Sequence, residues 1–149
     1  MFPCCTVGSG VSKSQAALLQ EKLLLIQPLF PGSSEFLLLD GRGRLMLHCG
    51  HAGAVDAANS LARGLPQLQA LRQAMSSLGG AMQTHSCPAL HTKGIRSMLS
   101  CYCIGADQLL VVSCTASPLA IELLDLGIVD LQIATTLVQV HNILEDSGG

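Results

Sequence analysis

Two short apolar runs, Phe36-Leu37-Leu38-Leu39 and Arg44-Leu45-Met46-Leu47-His48-Cys49, flank the segment Asp40-Gly41-Arg42-Gly43. A tight connection between antiparallel strands needs residues that tolerate positive φ, and Asp-Gly followed by a second glycine meets that need. The chain is thereby committed to an antiparallel sheet. From Ala52 the apolar period lengthens from two to about 3.6. Leu61, Leu65, Leu68, Leu71, Met75 and Leu78 recur at steps of three and four, on one face of a helix. Gly64 and Pro66 interrupt that row, and Pro66 suits the first turn of a second segment, which predicts a kink. Gly79-Gly80 ends the helix.

Upstream, residues 1–11 read as a flexible leader around Gly8-Ser9-Gly10. Ser12 or Ser14 can cap a first helix with apolar positions Ala17, Leu18, Leu24 and Leu25 and with Glu21 and Lys22 in water. Pro28 and Pro31-Gly32 end it. Downstream come three more strand candidates, Met82 to Cys87, Ile95 to Ile104 and Leu109 to Cys114. Ser117 then caps a single last helix with Pro118 at its first position, and Glu122, Asp125 and Asp130 form its polar edge. The order α-β-β-α-β-β-β-α lacks βαβ alternation, so the fold class is α+β, with five strands that can all pair as antiparallel neighbours. The domain spans residues 12–145, with a disordered tail at 146–149.

Composition narrows the function. Only 12% of the 149 residues are charged and 49% are hydrophobic, with net charge −2. A soluble domain usually carries about 25% charged residues, so the balance predicts an apolar surface that a partner covers. No polybasic field exists for phosphate backbones, and one Tyr, three Phe and no Trp offer little stacking surface. Nucleic acid is not the expected partner. The stretch from Pro118 to Leu144 is broken by three carboxylates and is not a transmembrane span. Seven cysteines in no regular framework, without a secretory signal, read as reduced thiols in the cytoplasm.

Candidate chemistry is sparse. Gly8-Ser9-Gly10-Val11-Ser12-Lys13-Ser14 has Val7 and Ser12 where a phosphate loop needs glycines, and no strand is expected before it. His85, Cys87, Cys101 and Cys103 are metal-ligand candidates, since each pair alternates onto one strand face, but they lack CxxC spacing. Cys49 and His51 are near only in sequence, without an orienting group or oxyanion donors. Cys4 and Cys5 are candidates for S-acylation, with no basic patch beside them. No cofactor is expected, and no enzyme activity.

The chain resembles the roadblock family over residues 14–145. Leu38-Leu39-Asp40-Gly41-Arg42-Gly43-Arg44-Leu45 is similar to that family's first hairpin. Leu109-Leu110-Val111-Val112-Ser113-Cys114-Thr115-Ala116-Ser117 is similar to its last strand and entry into the final helix, most of all to the roadblock subunits of the lysosomal Ragulator scaffold. Pro66 and the long loop from Pro88 to Gly94 depart from the pattern. The resemblance implies a five-stranded antiparallel sheet in spatial order 2-1-5-4-3 with helices on both faces, one on one face and two on the other. It implies a dimer joined through the middle helix and third strand, with interface residues Leu61, Leu65, Leu68, Leu71, Met75, Met82, Thr84 and Ser86. Partners would be a copy of itself or another roadblock-type subunit, with a small GTPase or a dynein intermediate chain, in the cytoplasm, at an endomembrane surface or with a motor complex. Two alternatives stay open: a longin-like trafficking subunit, which a helix at Ser14–Leu25 argues against, and a small thiol- or zinc-binding protein.

Overall fold

The structure is a computed structural model that describes residues 2–51, 89–105 and 108–146, with 56, 59, 63, 64, 66, 67, 70, 71, 73–75 and 77 between them. Its elements are β1 (Cys4–Val7), α1 (Lys13–Ile26), β2 (Ser33–Leu39) and β3 (Leu45–Gly50), followed by α2, the described residues from 56 to 77, all helical. Then come β4 (Ala89–Lys93), β5 (Ser97–Ile104), β6 (Gln108–Thr115), α3 (Pro118–Leu123) and α4 (Leu126–Glu145). The strands form one sheet in the order β1-β3-β2-β6-β5-β4, every neighbouring pair antiparallel.

The β2–β3 turn shows why the hairpin closes where it does. The Asp40 carboxylate accepts from the Arg42 and Arg44 amides and from Arg44 Nε, each at 2.9 Å, while Gly43 takes φ 79°. Burial works to raise the Asp40 pKa, but these donors outweigh it and hold the carboxyl below its ordinary value.

Period-two alternation splits the apolar side chains between two layers. On one face Phe36, Leu38, Leu110, Val112, Tyr102 and Ile104 pack under α1, α3 and α4. On the other, Leu39, Cys101, Leu109 and Val111 pack with Met75 of α2, flanked by the half-buried Leu71, Leu90 and Leu99. The helices therefore cover both faces, so each apolar layer of the sheet is packed against a helix.

Several expectations are corrected. The sheet has six strands instead of five, because residues 4–7 of the expected leader pair with β3 as strand β1. Phe2 anchors that strand, 7% exposed and edge-to-face with Phe36 at 5.5 Å. A strand consequently does precede Gly8-Ser9-Gly10, although the two missing loop glycines still stand against a phosphate site. In α1 the cap is Ser12, which accepts from the Gln15 amide, and the buried face is Ala16, Leu19, Leu23 and Ile26. Leu18 and Leu25, expected inside, are 48% and 63% exposed. Half of this helix is apolar, so the pattern fits more than one face and tertiary packing decides. α1 supplies the helix that argued against a longin domain, but β1 comes before it.

The last helix is two helices. Ser117 caps α3 as expected, but Leu124 is extended, and Asp125 is the cap of α4, accepting from the Gly127 and Ile128 amides at 3.0 and 3.3 Å. Residues 89–93 form β4 where a loop was expected, and β5 begins at Ser97, leaving Ile95 79% exposed in the turn. The strand expected from Met82 to Cys87 lies outside the described residues, as does Leu65, next to the expected kink; Gly64 and Pro66 are both helical.

Candidate interaction surface

Among the described residues the sheet has two edge strands, β1 and β4. The Gly94 amide donates to Ser97 O at 2.7 Å, which sets the phase of the β4–β5 ladder. By alternation Leu90 and Thr92 exchange hydrogen bonds with β5, whereas Ala89, His91 and Lys93 turn their backbone N–H and C=O groups outward. That row of outward amides and carbonyls is a template for another strand.

The same residues tie β4 to the helical layer. The His91 ring lies between Ser100 Oγ, 2.7 Å from Nδ1, and Asp130 Oδ1, 2.9 Å from Nε2. A carboxylate only accepts, so Nε2–H is the donor to Asp130, and in the neutral ring Nδ1 accepts from the Ser100 hydroxyl. Tyr102 OH donates to the same Oδ1 at 3.0 Å, and its ring meets His91 edge-on at 5.5 Å. Burial first, and the Asp130 charge second, push the Tyr102 phenol well above its ordinary pKa. Lys93 Nζ donates to Leu124 O at 2.9 Å and Glu122 O at 3.4 Å, meeting carbonyls at the end of α3. Edge strand, neighbouring strand and α4 are held as one unit.

Asp130, His91 and Ser100 follow the order of a hydrolytic triad, yet Ser100 is 0% exposed and unreachable for a substrate. Beside them a cavity of about 430 Å³ opens between β5 and α4, lined by Tyr102, Asp130, Ile133, Leu137 and His141. Sequence reasoning missed this cluster. The available signal is Asp130, a single carboxylate in the otherwise apolar run from Leu126 to Leu131, which by sequence alone reads as part of a polar helix edge.

Of the expected interface residues, Leu71 is half-buried on the α2 side of the sheet. Met75 is fully buried against Leu39 and Cys101 and serves the core, so its side chain is not available to a partner. Leu61, Leu65, Leu68, Met82, Thr84 and Ser86 lie outside the described residues, as do His85 and Cys87. Cys101 and Cys103 share the α2 face as their spacing requires, and burial raises the Cys101 thiol to about 12. Among the described residues no three metal-binding side chains converge. The Cys49–His51 pairing does not form. Cys49 is buried with its sulfur 3.0 Å from Cys5, and the exposed His51 donates its amide to Glu35 Oε1 at 2.8 Å. That sulfur contact also occupies Cys5, so an acyl chain there would displace the packing between β1 and β3. No described helix is long and apolar enough to cross a membrane.

No protein-family model and no curated protein matches the chain. Solved structures do. A structure described as MglB with tetrameric arrangement matches at 19% identity and TM-score 0.66, over 95% of this chain and 99% of that one. Myxococcus xanthus MglB matches at 18% identity and TM-score 0.61, over 90% and 97%. A Roadblock/LC7 domain from Streptomyces avermitilis matches at 14% identity and TM-score 0.53, over 91% and 98%. Spanning nearly all of both partners in each comparison, the shared architecture gives this chain a roadblock-family fold.

Proposed function

We propose that the chain is a non-catalytic dimerisation and scaffold subunit that pairs with a second roadblock-type subunit, itself or another, and acts with small GTPases or a dynein-type motor. The observation that carries this reading is the β4 edge, whose outward backbone groups at Ala89, His91 and Lys93 are held in place by the Asp130 network. A pre-organised edge loses little freedom when a strand adds to it. The neighbouring α2 side, with Leu71 described and Leu61, Leu65 and Leu68 in the same sequence row, would widen the contact toward the roughly 800 Å² per partner of a stable interface. The tetrameric MglB neighbour supports assembly as the use of such a fold.

Lys93→Pro tests it. Proline removes an outward N–H and leaves the β4–β5 hydrogen bonds intact; it also removes the Nζ that meets Leu124 O and Glu122 O, so Lys93→Ala, which loses Nζ alone, is the control and should assemble like the wild type. Sedimentation velocity of the wild type is expected to show a dimer or larger, and the variant a monomer with unchanged circular dichroism. A monomeric wild type, or a folded variant that sediments like the wild type, would overturn the reading.

A further inference from the structure

We propose that Cys5 and Cys49 form a dithiol modification site, which a hydroperoxide converts to a disulfide that locks strand β1 onto β3. The Gly8 amide donates to Met46 O at 2.8 Å just beyond the end of β1, which sets the phase of this ladder. Alternation then makes Cys5 and Cys49 a non-hydrogen-bonded pair, the kind whose Cα atoms lie about 4.5 Å apart with side chains closest. That spacing falls within the roughly 4.4–6.8 Å that a disulfide spans. The two sulfurs already lie 3.0 Å apart.

The other described cysteines are differently placed. Cys4 sits opposite Gly50, which offers no side chain. Cys114 Sγ donates to Pro31 O at 2.7 Å. Cys101 and Cys103 stand two residues apart on one strand, a rise of about 6.6 Å that lies at the far end of what a disulfide spans. Exposure divides the labour within the pair: Cys5 is half-buried at the edge strand, and Cys49 is 0% exposed. Burial, and then the contact with Cys5, raises the Cys49 thiol far above its ordinary pKa, so Cys49 is the resolving sulfur.

With hydrogen peroxide, the Cys5 thiolate attacks one oxygen and the O–O bond breaks, giving a Cys5 sulfenic acid and one water. Cys49 sulfur then attacks Cys5 sulfur, the S–O bond breaks, and the leaving hydroxide takes the Cys49 proton as a second water. Two thiols lose two electrons and two protons, and the peroxide is reduced to two waters. The new bond closes the β1 edge, which in the reduced chain rests on backbone pairing and on Phe2.

The test treats the full chain with hydrogen peroxide under native conditions, blocks free thiols, and maps non-reduced peptides by mass spectrometry. A Cys5–Cys49 linked pair, reversed by dithiothreitol, is the expected product. It should persist in Cys4→Ser and vanish in Cys5→Ser, both substitutions at half-buried positions that spare the core. Amide exchange over residues 4–7 should slow by about tenfold or more on oxidation. Accumulation of Cys5 sulfinic acid without the link, loss of the link in Cys4→Ser, or unchanged exchange in linked protein would each overturn the proposal.

Discussion

Asp130→Ala removes the acceptor on which His91 and Tyr102 converge. Tyr102 is 2% exposed, so when Asp130 Oδ1, 3.0 Å away, is gone, its hydroxyl is left with Ser100, whose Oγ also serves His91 Nδ1. An orphaned buried donor costs about 1–3 kcal/mol, and a hydrogen bond to a charged group contributes about 1.5–3 kcal/mol. The Asp130 side chain is 40% exposed, so water refills part of the vacated place and the lower half of that range applies. We expect Asp130→Ala to destabilise by about 2 kcal/mol, and Tyr102→Phe, which removes donor and demand together, by about 1 kcal/mol. The double variant should be more stable than the sum of the singles predicts, with a coupling of about 1 kcal/mol. Urea unfolding followed by far-ultraviolet circular dichroism measures all four corners of the cycle. Additive losses would refute the shared role assigned to this carboxylate.

The buried thiols make the fold sensitive to alkali. Cys49, Cys101 and Cys114 all hold their protons more tightly folded than at the ordinary value of 9.0, chiefly through burial. A raised folded pKa stabilises fully below the unfolded value and is lost as pH rises above it. The free energy of unfolding should be level from neutral pH to 9.0 and fall beyond it, by up to about 1.4 kcal/mol per pH unit for each such thiol. Cys101→Ala should fall less steeply, and a flat profile above pH 9.0 would remove the argument. Gly32 takes φ 66°, and a Cβ there would overlap the carbonyl oxygen of Thr115, the residue paired with Ser33. Gly32→Ala should cost about 1–3 kcal/mol by thermal melting. No loss would show that the bend into β2 adjusts freely.

What the chain spells out locally is what could be read from it. The Asp40-Gly41-Arg42-Gly43 turn carries its own ligands, since one carboxylate satisfies its neighbours' amides. Ser12 and Ser117 cap the helices assigned to them for the same reason. Asp125 offers an equally local cap that stands out less, because Leu123 and Leu124 continue the apolar pattern of a single helix and nothing local marks Leu124 as extended. The opposite case is β1. Cys4-Cys5-Thr6-Val7 is too short and too close to the terminus to announce a strand, and only the exposed edge of β3 makes it one. The Asp130 cluster was invisible for a related reason. His91, Ser100, Tyr102 and Asp130 come from three elements, and only sheet register and helix placement bring them together.

The low charge content argues for a covered surface, but it does not place that surface at β4. Among the described residues, the large apolar side chains left in water are Leu18 and Leu25 on α1, Leu119 and Leu123 on α3, and Ile128, Leu131 and Val138 on α4, with Val7 and Ile95 elsewhere. Ile128, Leu131 and Val138 follow helical spacing and share the outward face of α4, away from Val129, Ile133 and Val140, which point into the core. The case for edge pairing rests instead on backbone groups, which composition does not report. Lys93→Pro separates these two arguments. Measured against Lys93→Ala, which already lacks the Nζ contacts with Glu122 O and Leu124 O, it removes one outward amide and changes none of the exposed leucines. If assembly is lost, hydrogen bonding along the strand governs it and the greasy helical layer is incidental. If assembly survives in a folded variant, the excess apolar surface is what holds the chains together, and α3 and α4 carry it.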